Sequence, residues 1–357
     1  MQKSDGMTYA PTGKPAPVVG KGEFVFAAAA LDHGHIHGMV NGLTEAGGVC
    51  KYVFDADAQK TADFASQFPG AKIARSLDEI LLDREVRMVA AAAVPNLRGP
   101  LGLKVMDAGK DYFTDKTPFT ALEQLDAARA KCAETGRKYM VYYSERIHSE
   151  CSVYAGYLIR DGAIGDVIQV LGTGPHRLSA ASRPDWFFRK EQYGGILCDI
   201  GRHQAEQFLY FAGAKDATVT HSQVGNFAHP EYPELEDFGD AALLADNGAT
   251  NYFRVDWFTP DGLRSWGDGR AFILGTKGCI ELRKNTNVGV DGEGDLVFLV
   301  TEKGEEALRV AGKVGFPFFG ELILDCLNRT ENAMTQAHAF KAAELCLKAQ
   351  ATAVRIR

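Results

Sequence analysis

In the stretch GGILCDIGRHQAEQ, Gly194 to Gln207, an aspartate and a histidine stand four residues apart: Asp199 and His203. On one continuous helix that spacing puts both side chains on one face, able to act on one bound molecule. Histidine suits removal of an alcohol proton near neutral pH, and a carboxylate beside it can orient it or bind a neighbouring hydroxyl. Gly194, Gly195 and Gly201 leave room for a bulky ligand. A second candidate is DYFTDKTPF, where a short strand delivers Asp115 and Lys116 before the Thr117-Pro118 turn. Strand carboxyl ends in open α/β sheets face the ligand crevice, and a lysine there can hold a hydroxyl or lower its pKa.

The stretch LDHGHIHGM, Leu31 to Met39, admits two readings. His35-x-His37 is the form in which metal-dependent amidohydrolases carry two ligands after a first barrel strand. Such a site needs further ligands from an eight-fold βα barrel, which the hairpin-rich second half does not supply, so no metal is expected. The other reading is a dinucleotide turn: Asp32-His33-Gly34-His35-Ile36-His37 keeps only the middle glycine of G-x-G-x-x-G, the one that lets backbone approach a pyrophosphate. Asp55, about twenty residues on at the end of the next strand, is placed to bind the adenosine ribose and repel a 2′-phosphate. With Asp57 nearby and no adjacent arginine, that favours NAD over NADP. His33, His35 and His37 are left as side chains that line the cofactor, reach the substrate, or only pack.

The elements that must position these residues alternate. FVFAAAAL reads as a buried strand. HIHGMVNGLTEAGG reads as a helix with Ile36, Met39, Val40 and Leu43 on one face. Further strands (CKYVFD, AKIAR, VRMVAAAAV, DYFTDK, YMVYYS) alternate with helical segments, including a polar helix over 56–68 and SLDEILLD, where Ser76 and Glu79 predict a capping box. Strand–helix alternation predicts a parallel, doubly wound α/β domain over 23–145. From 146 to 357 the pattern becomes α+β. A helix is expected around GILCDIGRHQAEQFLYFAG, then strands joined by tight turns, with Asn247-Gly248 the clearest hairpin. That predicts a large, open, mostly antiparallel sheet. The last 40 or so residues read as helix that can pack back on the first domain.

Residues 1–22, rich in Pro and Gly, predict an extended arm with little structure of its own, either loose or packed on a neighbouring subunit. A net charge of −7 argues against nucleic-acid or membrane-surface partners, which need a basic footprint. Seven widely spaced cysteines without C-x-x-C match a reduced, cytoplasmic protein.

With these segments in place, the chain from about Phe24 resembles the Gfo/Idh/MocA oxidoreductases. The family's EKP resembles Asp115-Lys116-Thr117, with proline displaced to Pro118. Its GGxxxDxGxHxxD resembles GGILCDIGRHQAE, with Gly194, Gly195, Asp199, Gly201, His203 and Glu206 in register. VPN (Val94 to Asn96) and RAFILGTKGCIEL resemble two further family segments. The resemblance implies an NAD(P)-binding Rossmann domain, a substrate-binding and oligomerisation domain, and hydride transfer between nicotinamide and a secondary alcohol or ketone of a sugar or polyol. It implies Lys116, Asp199 and His203 as catalytic groups. Asp32, His33, Gly34, His35, Ile36, His37, Asp55, Pro95, Asn96, Asp115 and Lys116 are expected at the cofactor. Tyr143, Arg146, His148, His176, Trp186 and Arg202 are expected to shape the substrate pocket, with Arg177 and Asp185 as further candidates. It also implies a homodimer or homotetramer through the open sheet. A redox glycosidase, a sugar sensor and a metal-dependent hydrolase are the alternative readings.

Overall fold

Val25–Ala29 form β1, and four of its five residues are buried, as a strand covered on both faces requires. The computed structural model describes residues 5–357, so the first four residues of the expected arm lie outside the described residues. The chain forms two compact units. One comprises Met7–Tyr142 with Phe316–Phe340; the other comprises Tyr143–Gly315 with Lys341–Arg357 and, of the described residues before Met7, Asp5 and Gly6.

In the first unit β1 is followed by α1 (His35–Glu45), β2 (Val49–Phe54), α2 (Ala58–Gln67), β3 (Lys72–Ile73), α3 (Leu77–Leu82) and β4 (Val86–Ala91). Then come α4 (Pro95–Asp107), β5 (Asp111–Asp115), α5 (Leu122–Thr135) and β6 (Tyr139–Tyr142). The six strands are parallel in the order β3-β2-β1-β4-β5-β6. The order reverses beside β1, which makes the carboxyl ends of β1 and β4 a topological switch point. Asp57 caps α2, accepting from Gln59 N at 2.8 Å and Lys60 N at 3.2 Å. The expected capping box of α3 is only half made: Ser76 Oγ accepts from Glu79 N, but the Glu79 carboxylate turns to Arg75 N at 2.7 Å. Arg75 also offers its guanidinium to that carboxylate, which draws it one residue past the usual partner.

The arm is not loose. Gly13 N donates to the Glu45 carboxylate at 2.9 Å, and Ala16 N and Val18 N donate to the carbonyls of Glu45 and Ala46 at the end of α1.

The second unit opens with α6 (Ser144–Ile147), α7 (Glu150–Arg160) and β7 (Val167–Pro175), followed by α8 (Lys190–Tyr193), α9 (Ile196–Asp199) and α10 (Gly201–Ala212). The single helix expected around His203 is therefore two, broken at Ile200. β8 (Ala217–Gly225), β9 (Phe238–Ala245), β10 (Thr250–Asp256), β11 (Arg270–Gly275), β12 (Gly278–Arg283), β13 (Leu296–Thr301) and β14 (Gly304–Arg309) follow. α11 (Pro317–Asn328) belongs to the first unit; α12 (Gln336–Thr352), whose residues from Lys341 on belong to the second, precedes a two-residue β15 (Val354–Arg355). The nine strands pair in the order β14-β13-β12-β11-β7-β10-β9-β8-β15. The sheet is antiparallel except where β10 meets β7 and β15 meets β8. The hairpin at Asn247-Gly248 joins β9 to β10, with Gly248 at φ +87° in the left-handed region.

Candidate functional site

In the first unit three of the expected cofactor residues, His33, His35 and Lys116, meet at a fourth, the buried carboxylate of Asp115. Asp115, at the carboxyl end of β5, is wholly inaccessible. Its Oδ1 accepts from His35 Nδ1 at 2.8 Å and from Lys116 N at 2.8 Å, and its Oδ2 accepts from the Arg98 guanidinium at 3.1 Å. Burial by itself would raise the Asp115 pKa; His35, Arg98 and His33 outweigh it and hold the carboxyl far below the usual range. Arg98 also donates to the carbonyls of Ala93, Lys116 and Thr117, so it pins the segment that carries Lys116. The Lys116–Thr117 peptide is cis.

The three histidines divide. His33 lies 3.2 Å from Asp115, and burial pushes its imidazole well below 6.5; its Nδ1 accepts from His35 N. His37 packs against Phe64 and Phe68, with ring centroids 5.2 and 5.9 Å away. His33, His35 and Asp115 could in principle surround a cation, their ligand atoms lying within 4.8 Å of one another. The Arg98 guanidinium on the same carboxylate makes the cluster a hydrogen-bonded anion instead.

The strand order suits a dinucleotide, and so does Asp55 at the end of β2, half-buried and anchored by Leu31 N at 2.6 Å and Asp57 N at 2.8 Å. Pro95 opens α4, and the buried Asn96 Oδ1 beside it has no donor among the described residues, which leaves an acceptor for a ligand N–H or O–H. Ile36 lies in the core, and Asp32 pairs with Lys60 at 2.6 Å while accepting from Val94 N at 3.2 Å. Gly34 departs from expectation. A β-carbon there would collide with the Met7 carbonyl of the arm, so the close backbone approach at this glycine is made by the chain itself.

In the second unit Asp199 ends α9 and His203 lies in the first turn of α10, both buried. They stand on either side of Ile200, which interrupts the helix but keeps right-handed helical φ and ψ of −89° and −41°. Gly194 and Gly195, at φ +89° and +91°, bring the chain into α9 by a path that an L side chain disfavours. Around them lies a network that the sequence did not announce. Glu145 accepts from Lys284 Nζ at 2.8 Å and Gln204 Nε2 at 3.1 Å, and its other oxygen lies 4.0 Å from His176 Nε2. Burial would raise the Glu145 pKa, but Lys284, His203 and His176 together hold it far below the carboxylate range.

Other expected pocket residues are committed elsewhere. Arg146 pairs with Glu206 at 2.6 Å and lies over the Tyr210 ring; Arg177 binds Asp261 and the carbonyls of Pro260 and Leu263. Tyr143, His148 and Arg202 are completely buried. Trp186 is half-exposed beside Phe187, and Asp185 is exposed. Arg183, overlooked in the sequence, is buried against Phe187 and Trp257, with Asp5 and Asp199 as its charged neighbours. Glu145, Lys284 and Arg98 carry no motif of their own. The one available signal was that Glu145 adjoins Arg146 and that Arg98 follows Asn96 by two residues.

Asp115 and Glu145 have a consequence for acid stability. Both folded-state pKa values are depressed, so their stabilisation is complete above the ordinary carboxyl pKa of about 4 and is lost as pH falls below it. The melting temperature is expected to hold between about pH 6 and 5 and to drop steeply below about pH 4. Calorimetric scans check this, and a flat profile down to about pH 3 contradicts it.

Comparison with known proteins places both units. A family model described as "Oxidoreductase family, NAD-binding Rossmann fold" matches residues 18–143, and one described as "GFO/IDH/MocA C-terminal domain" matches 153–281. A crystal structure from Erwinia carotovora atroseptica SCRI1043, described as an oxidoreductase, is 52% identical with TM-score 0.91, covering 94% of this chain and 100% of that one. The NAD⁺-dependent scyllo-inositol 2-dehydrogenase of Bacillus subtilis is 26% identical over 262 residues, 72% of each chain. The aldose-aldose oxidoreductase of Caulobacter crescentus, complexed with glycerol, has TM-score 0.76 at 19% identity, covering 92% and 97%; it shows likeness of fold alone.

Proposed function

Because this chain belongs to the Gfo/Idh/MocA family of NAD-binding oxidoreductases, we propose that it is an NAD-dependent dehydrogenase. Its proposed substrate is a secondary alcohol of a sugar or polyol. The observation that carries the reading is His203, buried on α10 next in sequence to the glycine-flanked α9 that ends in Asp199, with the ionised Glu145 among its charged neighbours. The relative that acts on scyllo-inositol supports the substrate class.

NAD, when bound, supplies the hydride acceptor. Asp55 would hold the adenosine ribose, and the Asn96 side chain is a further group suited to it. His203 takes the hydroxyl proton as the carbon is oxidised. In the first unit Lys116 is proposed as a donor that stabilises negative charge developing on a substrate oxygen. In the second unit Asp199 orients His203 or holds a hydroxyl of the substrate. Leu171, Tyr252 and Phe272 support a homo-oligomer built on the nine-stranded sheet: they lie side by side on β7, β10 and β11 and are 38%, 41% and 40% exposed.

A panel of sugars, inositols and sugar acids, assayed with NAD and NADP by the absorbance of the reduced nucleotide, tests the reading. At least one polyol is expected to reduce NAD, with about tenfold or greater preference over NADP from the Asp55 charge. Reduction of neither nucleotide by any member of the panel contradicts it.

A further inference from the structure

Glu145 is buried at 5% exposure, and its two carboxylate oxygens are used unequally. Oε2 accepts from Lys284 Nζ at 2.8 Å, Gln204 Nε2 at 3.1 Å and Gln207 Nε2 at 3.5 Å. Oε1 is buried and accepts no hydrogen bond from any described residue. An ionised oxygen left so costs free energy unless something else donates to it. His176 Nε2 stands 4.0 Å away, too far for a direct hydrogen bond and close enough for one further oxygen atom to serve both groups.

The surroundings narrow what that oxygen belongs to. The His176 ring is fixed by Nδ1, 3.1 Å from the Gly174 carbonyl, and by Trp257 and Trp266, with centroids 5.5 and 4.5 Å away. Flat apolar rings beside a charged acceptor suit a molecule with C–H faces and O–H edges. An alcohol O–H donating to Oε1 satisfies the carboxylate, and its oxygen accepts from His176 Nε2 where that nitrogen carries a proton. Lys284 and the two glutamines hold the carboxylate in one orientation, so little is lost in ordering it when the ligand arrives.

We propose that Glu145 Oε1, with His176 Nε2 beside it, is the specificity site for one hydroxyl of the substrate. The proposal rests on the reading of the substrate as a polyol. It assigns a recognition role to a residue distinct from Lys116, Asp199 and His203.

The test is a cycle of protein and ligand changes. kcat/KM is measured for the wild type and Glu145→Gln on the best polyol of the panel and on its monodeoxy analogues. One deoxy position is expected to cost the wild type about 10–100-fold, the usual worth of a hydrogen bond to a charged group. Glu145→Gln should lose a similar factor on the parent polyol, carried by KM, and discriminate less than about threefold against that analogue. If Glu145→Gln does not fold, as judged by circular dichroism, Glu145→Asp keeps the charge and withdraws the oxygens by one methylene, with the same KM loss expected. A variant that discriminates among the analogues as the wild type does, or that loses activity equally on all of them, overturns the proposal. Should no polyol be oxidised, the dehydrogenase reading fails separately. Calorimetric binding of myo-inositol and of glucose to wild type and variant, in the presence of NADH, then decides the subsite. Weaker binding by the variant supports it; equal binding, or none to the wild type, overturns it.

Discussion

Replacing His203 with alanine is expected to lower kcat by about 10²–10⁴-fold, the usual contribution of general acid–base catalysis. The side chain is 1% exposed on α10, so its removal takes away the proposed proton acceptor and little surface. The groups proposed to hold NAD, Asp55 and Asn96, belong to the other compact unit. NADH binding, followed by the fluorescence of the reduced nucleotide, should therefore be retained. That split separates lost chemistry from lost nucleotide binding. Turnover within about twofold of the wild type would remove His203 from the mechanism.

Replacing Arg98 with alanine should instead act on stability. The guanidinium is fully buried, pairs with Asp115 and ties down the carbonyls of Ala93, Lys116 and Thr117. Its loss strands an inaccessible carboxylate, and breaking a buried pair by removing one partner costs about 3–5 kcal/mol. At roughly 2–4 °C per kcal/mol for a unit of this size, the melting temperature should fall by about 6–20 °C. Adding Asp115→Asn should recover part of the loss, since the stranded charge is then gone. A fall of less than about 1 kcal/mol by calorimetry contradicts the view that Arg98 compensates Asp115.

Local signals carried the fold far. The unbroken apolar run of β1, the cap at Ser76 and the turn at Asn247-Gly248 each depend on residues close in sequence, so their outcome was legible there. The motif holding Asp199 and His203 was legible for the same reason. The break between them was not, because a glycine two residues past Asp199 weakens a helix without dictating where it stops. Long-range partnerships left no trace in spacing. Lys284 meets Glu145 across 139 residues, and Arg98 meets Asp115 across 17. Gly34 shows the same limit differently: its lack of a side chain signalled a close approach, but only the folded arm shows that Met7 makes it. In LDHGHIHGM, likewise, His33 and His35 gather at Asp115 and His37 packs on phenylalanines, contacts that no spacing announced.

The central claim is hydride transfer to NAD, and isotope labelling tests it most directly. The best polyol of the panel is prepared with deuterium on the carbinol carbon, incubated with enzyme and NAD, and the nucleotide is examined by mass spectrometry. The account predicts reduced nucleotide carrying the deuterium together with a ketone product that has lost it. A product that keeps its deuterium, with no label in the nucleotide, contradicts it.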